Sequence, residues 1–223
     1  TIAAAAVDAP LLGRTGRMTR LGDRLFAAGC ARLVASESEA MRGWRAWLAR
    51  RARGVVVELG AGTGANLPFY DPAALERLVL VEPSPAMRRR LAAPAAALGA
   101  EVSDGTAERL PLADGSADCV LGTLVLCSVP DLAAALAEAR RALRPGGLLL
   151  LLEHVRSADP RTARRQDLVE PVWRRLAQGC HPNRDTARAV RDAGFRIVEE
   201  HPVPVELPDL GLFPHVALVA ERP

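Results

Sequence analysis

The sequence predicts an α/β fold in which a mostly parallel sheet carries helices on both faces. Short apolar runs alternate with longer stretches of helical character, the pattern expected of parallel strands joined by crossovers. The run Val55-Val56-Val57-Glu58-Leu59 is branched and apolar, as a strand covered on both faces requires. It leads directly into Gly60, Gly62 and Gly64, which allow a tight turn that brings backbone N–H groups close to a ligand. The chain of 223 residues, 49% hydrophobic, is large enough for one well-cored domain.

Each element follows in turn. Residues 1–20 carry Gly, Pro and Arg without periodicity and read as a frayed tail. Residues 21–53 read as two helices, with Leu25, Phe26, Leu33, Met41, Trp44, Trp47 and Leu48 on their apolar stripes. Residues 1–53 are therefore a tail and helical cap, and 54–223 the main domain. Strands are expected at 55–59, 78–82, 101–103, 118–123 and 148–153, and a helix is expected to open at Asn66 after Gly64. Ser84 should open a helix over 86–98 and Asp131 one over 132–143. The last two strands, 195–200 and 215–220, leave no room for a crossover helix and should pair antiparallel at the sheet edge.

Composition narrows the class. The net charge is +3 and all the basic residues are Arg, a usage that points to a high-GC bacterial genome. The run Arg88-Arg89-Arg90 lacks interleaved aromatics and reads as a solvated helix face, not a nucleic-acid patch. The cysteines at 30, 119, 127 and 180 show no C-x-x-C spacing, so neither a disulfide framework nor a zinc site is expected. The apolar run 148–152 is too short to cross a bilayer, and no secretory pattern is visible, so the expected location is the cytoplasm.

Glycines alone do not fix the cofactor, because Gly60, Gly62 and Ala65 also satisfy a dinucleotide-binding pattern. Glu82, closing the second strand, suits a ribose hydroxyl in either case. The downstream landmarks are more specific: Asp104-Gly105-Thr106-Ala107 to Pro111, then Asp114-Gly115-Ser116-Ala117-Asp118 before a strand, then Leu143-Arg144-Pro145-Gly146-Gly147 before another. In this order they resemble the class I S-adenosylmethionine-dependent methyltransferases, from about Val55 to the end of the chain. The resemblance implies a Rossmann-like seven-stranded sheet, S-adenosyl-L-methionine as methyl donor and S-adenosyl-L-homocysteine as product. It leaves a nicotinamide enzyme as a minor alternative. It also implies cofactor contacts from Glu58, Gly60, Ala61, Gly62, Gly64, Asn66, Glu82, Pro83, Ser84, Gly105, Thr106, Ala107, Leu124 and Cys127. Thr106 stands where the family often has an acidic residue.

A narrower resemblance rests on Leu126-Cys127-Ser128, Glu153-His154-Val155, the segment Asp167 to Trp173, and Gly179-Cys180-His181-Pro182-Asn183-Arg184-Asp185. These are similar to the thiol methyltransferase branch and its bacterial relatives, and more distantly to quinone-biosynthesis methyltransferases. That implies a small-molecule acceptor, most of all a thiol, with an oxygen, nitrogen or carbon acceptor or a non-catalytic cofactor-binding module as alternatives. The acceptor side is expected to draw on Leu126, Cys127, Trp173, His181 and Arg184. His154 is the best-placed titratable group for base catalysis, with hydrogen bonding to a neighbouring loop as the plainer role. The adjacent pair Cys180-His181, without further partners, makes a poor metal site. No nucleic acid and no stable membrane insertion are expected, and the chain should be a monomer or homodimer.

Overall fold

A computed structural model describes residues 20–204 and 212–223, the side chains of Arg20, Leu21 and Leu33 excepted. The expected frayed tail therefore lies almost wholly outside the described residues. Helices α1 (Arg20–Ala35) and α2 (Glu39–Ala49) precede the sheet. Its strands are β1 (Gly54–Leu59), β2 (Leu75–Val81), β3 (Glu101–Ser103), β4 (Ala117–Thr123), β5 (Leu143–His154), β6 (Arg196–Val203) and β7 (His215–Glu221). Between them lie α3 (Pro85–Ala97), α4 (Leu132–Ala142), α5 (Pro160–Leu176) and α6 (Thr186–Asp192).

The seven strands are ordered β3-β2-β1-β4-β5-β7-β6. The first five run parallel, whereas β7 pairs antiparallel with both β5 and β6, as the short connection between the last two strands requires. Alternation along each strand divides the core in two. Val57, Val79, Val120, Leu149 and Leu218 point to the face covered by Leu136 and Ala139 of α4 and Val190 of α6. Their sequence neighbours Val56, Leu80, Leu121, Leu150 and Val219 point to the opposite face, covered by Leu48 of α2 and Leu91 of α3. Strands buried on both faces need this uninterrupted apolar character. Ser84 and Asp131 cap α3 and α4 as expected, accepting from Met87 N and Ala134 N.

Several elements depart from expectation. No α-helix follows Gly64; Asn66 opens only a 3₁₀ turn, Leu67–Phe69, and a second, Pro72–Ala74, leads into β2. Pro68 and Pro72 sit at the starts of these turns, where a missing N–H is harmless. Strand β5 begins at Leu143, five residues earlier than expected, because Gly146 and Gly147 bond to Arg222 at the end of the chain. In α1, Leu25 is 55% exposed and belongs to no buried stripe. Arg89 and Arg90 are exposed, as a solvated face predicts. Among the described residues no helix is long and apolar enough to cross a membrane.

A buried polar network joins the helical cap to the sheet. Arg45 of α2, 4% exposed, donates to both oxygens of Glu37, to Asn66 Oδ1 at 3.1 Å and to Thr123 Oγ1 at 2.6 Å. Asn66 in turn donates to Glu58 at 2.9 Å, and Tyr70 donates to the other Glu58 oxygen at 2.7 Å. Every member finds a partner, which a network at this depth requires. Helix α5 is attached differently. Ala163 and Gln166 are its buried residues, and the Gln166 amide donates to the carbonyls of Val155, Pro182 and Leu212 while accepting from Ser157 N. Its outer side carries Leu168, Val172 and Leu176, all at least 60% exposed.

Two glycines separate space from strain. Gly43 in α2 has open space where a Cβ would project, so Gly43→Ala should stabilise by roughly 0.5–1 kcal/mol in urea unfolding. A Cβ on Gly147 would lie 2.9 Å from the Arg144 carbonyl and 3.1 Å from that of Asp118, so Gly147→Ala should cost about 1–3 kcal/mol. Burial raises the Glu58 carboxyl to about 7, against the opposing bonds from Tyr70 and Asn66. The folded state therefore binds this proton more tightly than the unfolded chain does. Its stabilisation is complete below the ordinary carboxyl pKa and is lost as pH rises through about 7. Glu58→Gln should flatten that decline by up to ~1.4 kcal/mol per pH unit, measured by urea unfolding between about pH 5 and pH 7.5.

Candidate active site

The carboxyl ends of β1 and β2 form the first half of the site. Gly60 and Gly62 adopt left-handed φ of 56° and 58°. At Gly60 the reason is crowding, since a Cβ would stand 2.5 Å from a Val125 methyl. At Gly62 the reason is different: the nearest atom to a Cβ would be Met87 Sδ at 3.7 Å, so this side of the turn is an open cradle. Glu82, 5% exposed, faces it and accepts from Gly62 N at 2.8 Å on one oxygen and from Ser84 N at 2.7 Å on the other. Burial raises its pKa, opposed by those two amides and by the Arg88 charge.

Helix α1 overhangs this half. Asp23 accepts from Ser84 Oγ at 2.5 Å and from Ala86 N at 3.0 Å, completing the N-terminus of α3. The Cys30 thiol is pushed up to about 11, by burial first and then by the Glu82 charge. Pro83 is exposed beside Glu82. Beyond β3, Gly105 N donates to Ser103 Oγ at 3.2 Å, Thr106 is exposed and bridges to Arg109, and Ala107 is buried in the core.

The second half is the turn after β4. Leu124 takes a left-handed φ of 57°, rare for a residue with a side chain, and its N–H donates to Leu152 O at 2.7 Å. Glu153, with no exposed surface, accepts from Val125 N and Leu126 N on one oxygen and from Cys127 N on the other, at 2.9–3.1 Å. The opposite edge of the turn is equally fixed: the Arg184 guanidinium donates to the carbonyls of Leu126 and Val129, and His181 N donates to Cys127 O. Glu153 was not expected in the site. Its sequence signals were its place in the Glu153-His154-Val155 motif and a carboxylate at a strand's carboxyl end, the position Glu58 and Glu82 share.

Beside this turn three side chains converge. His154 Nδ1 lies 3.7 Å from Cys127 Sγ and 3.4 Å from Cys180 Sγ. The Cys180 thiol is drawn down to about 4, by the hydrogen bond from Cys127 first and then by His154 and Trp173, while Cys127 is pushed up as the donor. The His154 ring also packs against His215, with centroids 4.3 Å apart, and Trp173 packs against Phe213 at the same separation.

The expected site residues are placed unevenly. Glu58, Asn66, Leu126 and Cys127 are each at most 1% exposed, so whatever they contribute comes from inside the protein rather than from its surface. Glu58 and Asn66 are consumed by the network under the glycine turn, and Leu126 is part of the core. His181 does not accompany Cys180; its Nδ1 pairs with Glu170 at 2.8 Å. Arg184 is spent on main-chain carbonyls. The partners that Cys180 seemed to lack come from elsewhere in the chain, at Cys127 and His154.

A family model described as "Methyltransferase domain" matches residues 57–151. The chain is 38% identical over 170 residues to thiol S-methyltransferase TMT1B of Homo sapiens, an overlap of 72% of this chain and 68% of the relative. It is 36% identical over 151 residues to human TMT1A, covering 63% of this chain and 59% of that one. A solved S-adenosylmethionine-dependent methyltransferase from Thermotoga maritima superposes with a TM-score of 0.64 at 24% identity, over 90% of this chain and 98% of that one. Such low identity speaks for the fold, and the curated relatives speak for the family. This chain belongs to the class I S-adenosylmethionine-dependent methyltransferases.

Proposed function

We propose that this enzyme transfers the methyl group to the sulfur of a small apolar thiol. The observation that carries the reading is the identity with TMT1B across 72% of the chain, which spans the turn after β4 and the end of β5. The cofactor supplies a methyl group on a sulfonium, which an in-line nucleophile can displace. The open cradle at Gly62 and the carboxylate of Glu82 fit its amino-acid and ribose portions, with Ser84, Pro83, Gly105 and Thr106 around the adenosine. Burial of Glu82 strengthens its contact by excluding water.

A thiol suits the acceptor side on chemical grounds. Its ordinary pKa of roughly 8.5 leaves an appreciable thiolate fraction near neutrality, so no strong base is needed. The His154 Nδ1 faces two sulfurs, which fits a positioning role better than proton abstraction from an alcohol or amine. The half-buried Arg184 places a fixed positive charge near the same turn, which favours an anionic nucleophile.

Glu82→Ala removes a charge-assisted acceptor and should weaken S-adenosyl-L-homocysteine binding by roughly 1.5–3 kcal/mol in calorimetry. Unchanged affinity would take Glu82 out of the site. In an acceptor screen with labelled donor, thiols should turn over and phenols, amines and quinols should not. The rate should climb with pH along the acceptor's own ionisation and move to lower pH with a more acidic thiol. A profile that stays fixed while the thiol pKa changes would refute substrate ionisation as the source of the nucleophile.

A further inference from the structure

The sulfur–imidazole cluster has a geometry that neither the fold nor the cofactor requires. Cys127 Sγ, His154 Nδ1 and Cys180 Sγ all lie within 4.8 Å of one another. Zinc–sulfur bonds of about 2.3 Å and zinc–nitrogen bonds of about 2.0–2.1 Å place neighbouring ligand atoms of a tetrahedron roughly 3.5–3.8 Å apart. His154 Nδ1 stands 3.7 Å from one sulfur and 3.4 Å from the other, close to that range.

The three ligands are also held in place from behind. Cys127 sits in a turn whose amide donates to Glu153, and His154 is the next residue after that carboxylate. Cys180 is tied to the same turn, because the amide of the following residue donates to the Cys127 carbonyl at 2.7 Å. Each ligand is therefore fixed by main-chain bonds, the support that a metal centre needs in its surroundings. Two thiolates and an imidazole form a soft donor set that selects zinc among common divalent ions and discriminates against magnesium or calcium.

We infer that Cys127, His154 and Cys180 form a site for a zinc-class cation, with its fourth position left for an exogenous thiol. Three protein ligands with one open position is the arrangement of a reactive zinc centre; a closed structural site would have four. His154 is half-buried, whereas Cys127 and Cys180 are buried. When an acceptor binds, its S–H bond breaks, the proton passes to water, and the sulfur electron pair forms the bond to the metal. The acceptor is then held as a thiolate beside the carboxyl ends of β4 and β5. The role of the fourth ligand rests on the thiol reading above, but the three-ligand site does not.

The test uses the full chain, purified with reductant and without chelator. Elemental analysis should find about one zinc per chain. Titration of the metal-free protein with Co²⁺ should give sulfur-to-cobalt charge-transfer absorption and the intense visible bands of a tetrahedral centre. Cys180→Ser and Cys127→Ser should each abolish the charge-transfer pattern of a two-thiolate site and weaken metal binding by more than roughly 100-fold. A small thiol should shift the visible bands of the cobalt form. Wild-type protein that holds no zinc and gives no charge-transfer band would overturn the site, whatever the variants do. Cobalt bands unmoved by saturating thiol would overturn the open fourth position. An acceptor screen that finds no thiol methylation would refute the thiol reading and leave the cobalt spectrum standing, so the two failures are distinguishable.

Discussion

Where parallel strands end, the loops that follow leave main-chain N–H groups without ladder partners, and those groups must find acceptors away from water. This protein meets the demand with buried carboxylates. Glu82 takes the amides of Gly62 and Ser84 and Glu153 takes three successive amides after β4, while Glu58 instead takes the side chains of Asn66 and Tyr70 beneath the glycine turn. Each carboxylate shapes the turn that it satisfies. The glycine turn and the turn after β4 are thereby fixed before any ligand arrives, and the Val125 methyl packed against Gly60 locks one to the other.

The N-terminal helices are part of this arrangement. Arg45 reaches from α2 into the network below the glycine turn, where its guanidinium donates to Asn66 and Thr123. Asp23 reaches from α1 to the start of α3, next to the Glu82 carboxylate. A segment that the sequence presents as a mere cap thus completes both the foundation and the rim of the cofactor half. The same helix brings the thiol of Cys30 close enough to Glu82 to feel its charge.

Much of the fold could be read from residue order. The branched run before Gly60, the caps at Ser84 and Asp131, and the short link between the last strands each carry a local physical signal, and each appears where that signal places it. The missing helix after Gly64 had a local signal too, in Pro68 and Pro72, which the glycine motif overshadowed. The site was less legible because burial is a property of the assembled sheet. Glu58 stands at a strand's carboxyl end like Glu82, yet Tyr70 and Asn66 close over it and not over its neighbour. The Cys127, His154 and Cys180 cluster was invisible for the same reason. Its members are 27 and 26 positions apart, and only the pairing of β4 with β5 and the return of the chain after α5 bring them together.

Gln166 helps tie α5 to the body through one amide group within bonding distance of four main-chain partners, beside the Arg156–Asp167 and His181–Glu170 pairs. Such an attachment separates two kinds of change. The outer side of α5, with Leu168, Val172 and Leu176 exposed, can change without disturbing the sheet, and the cofactor half shares no residue with that helix. The exposed positions of α5 can therefore change without loss of the contacts that Gln166 makes.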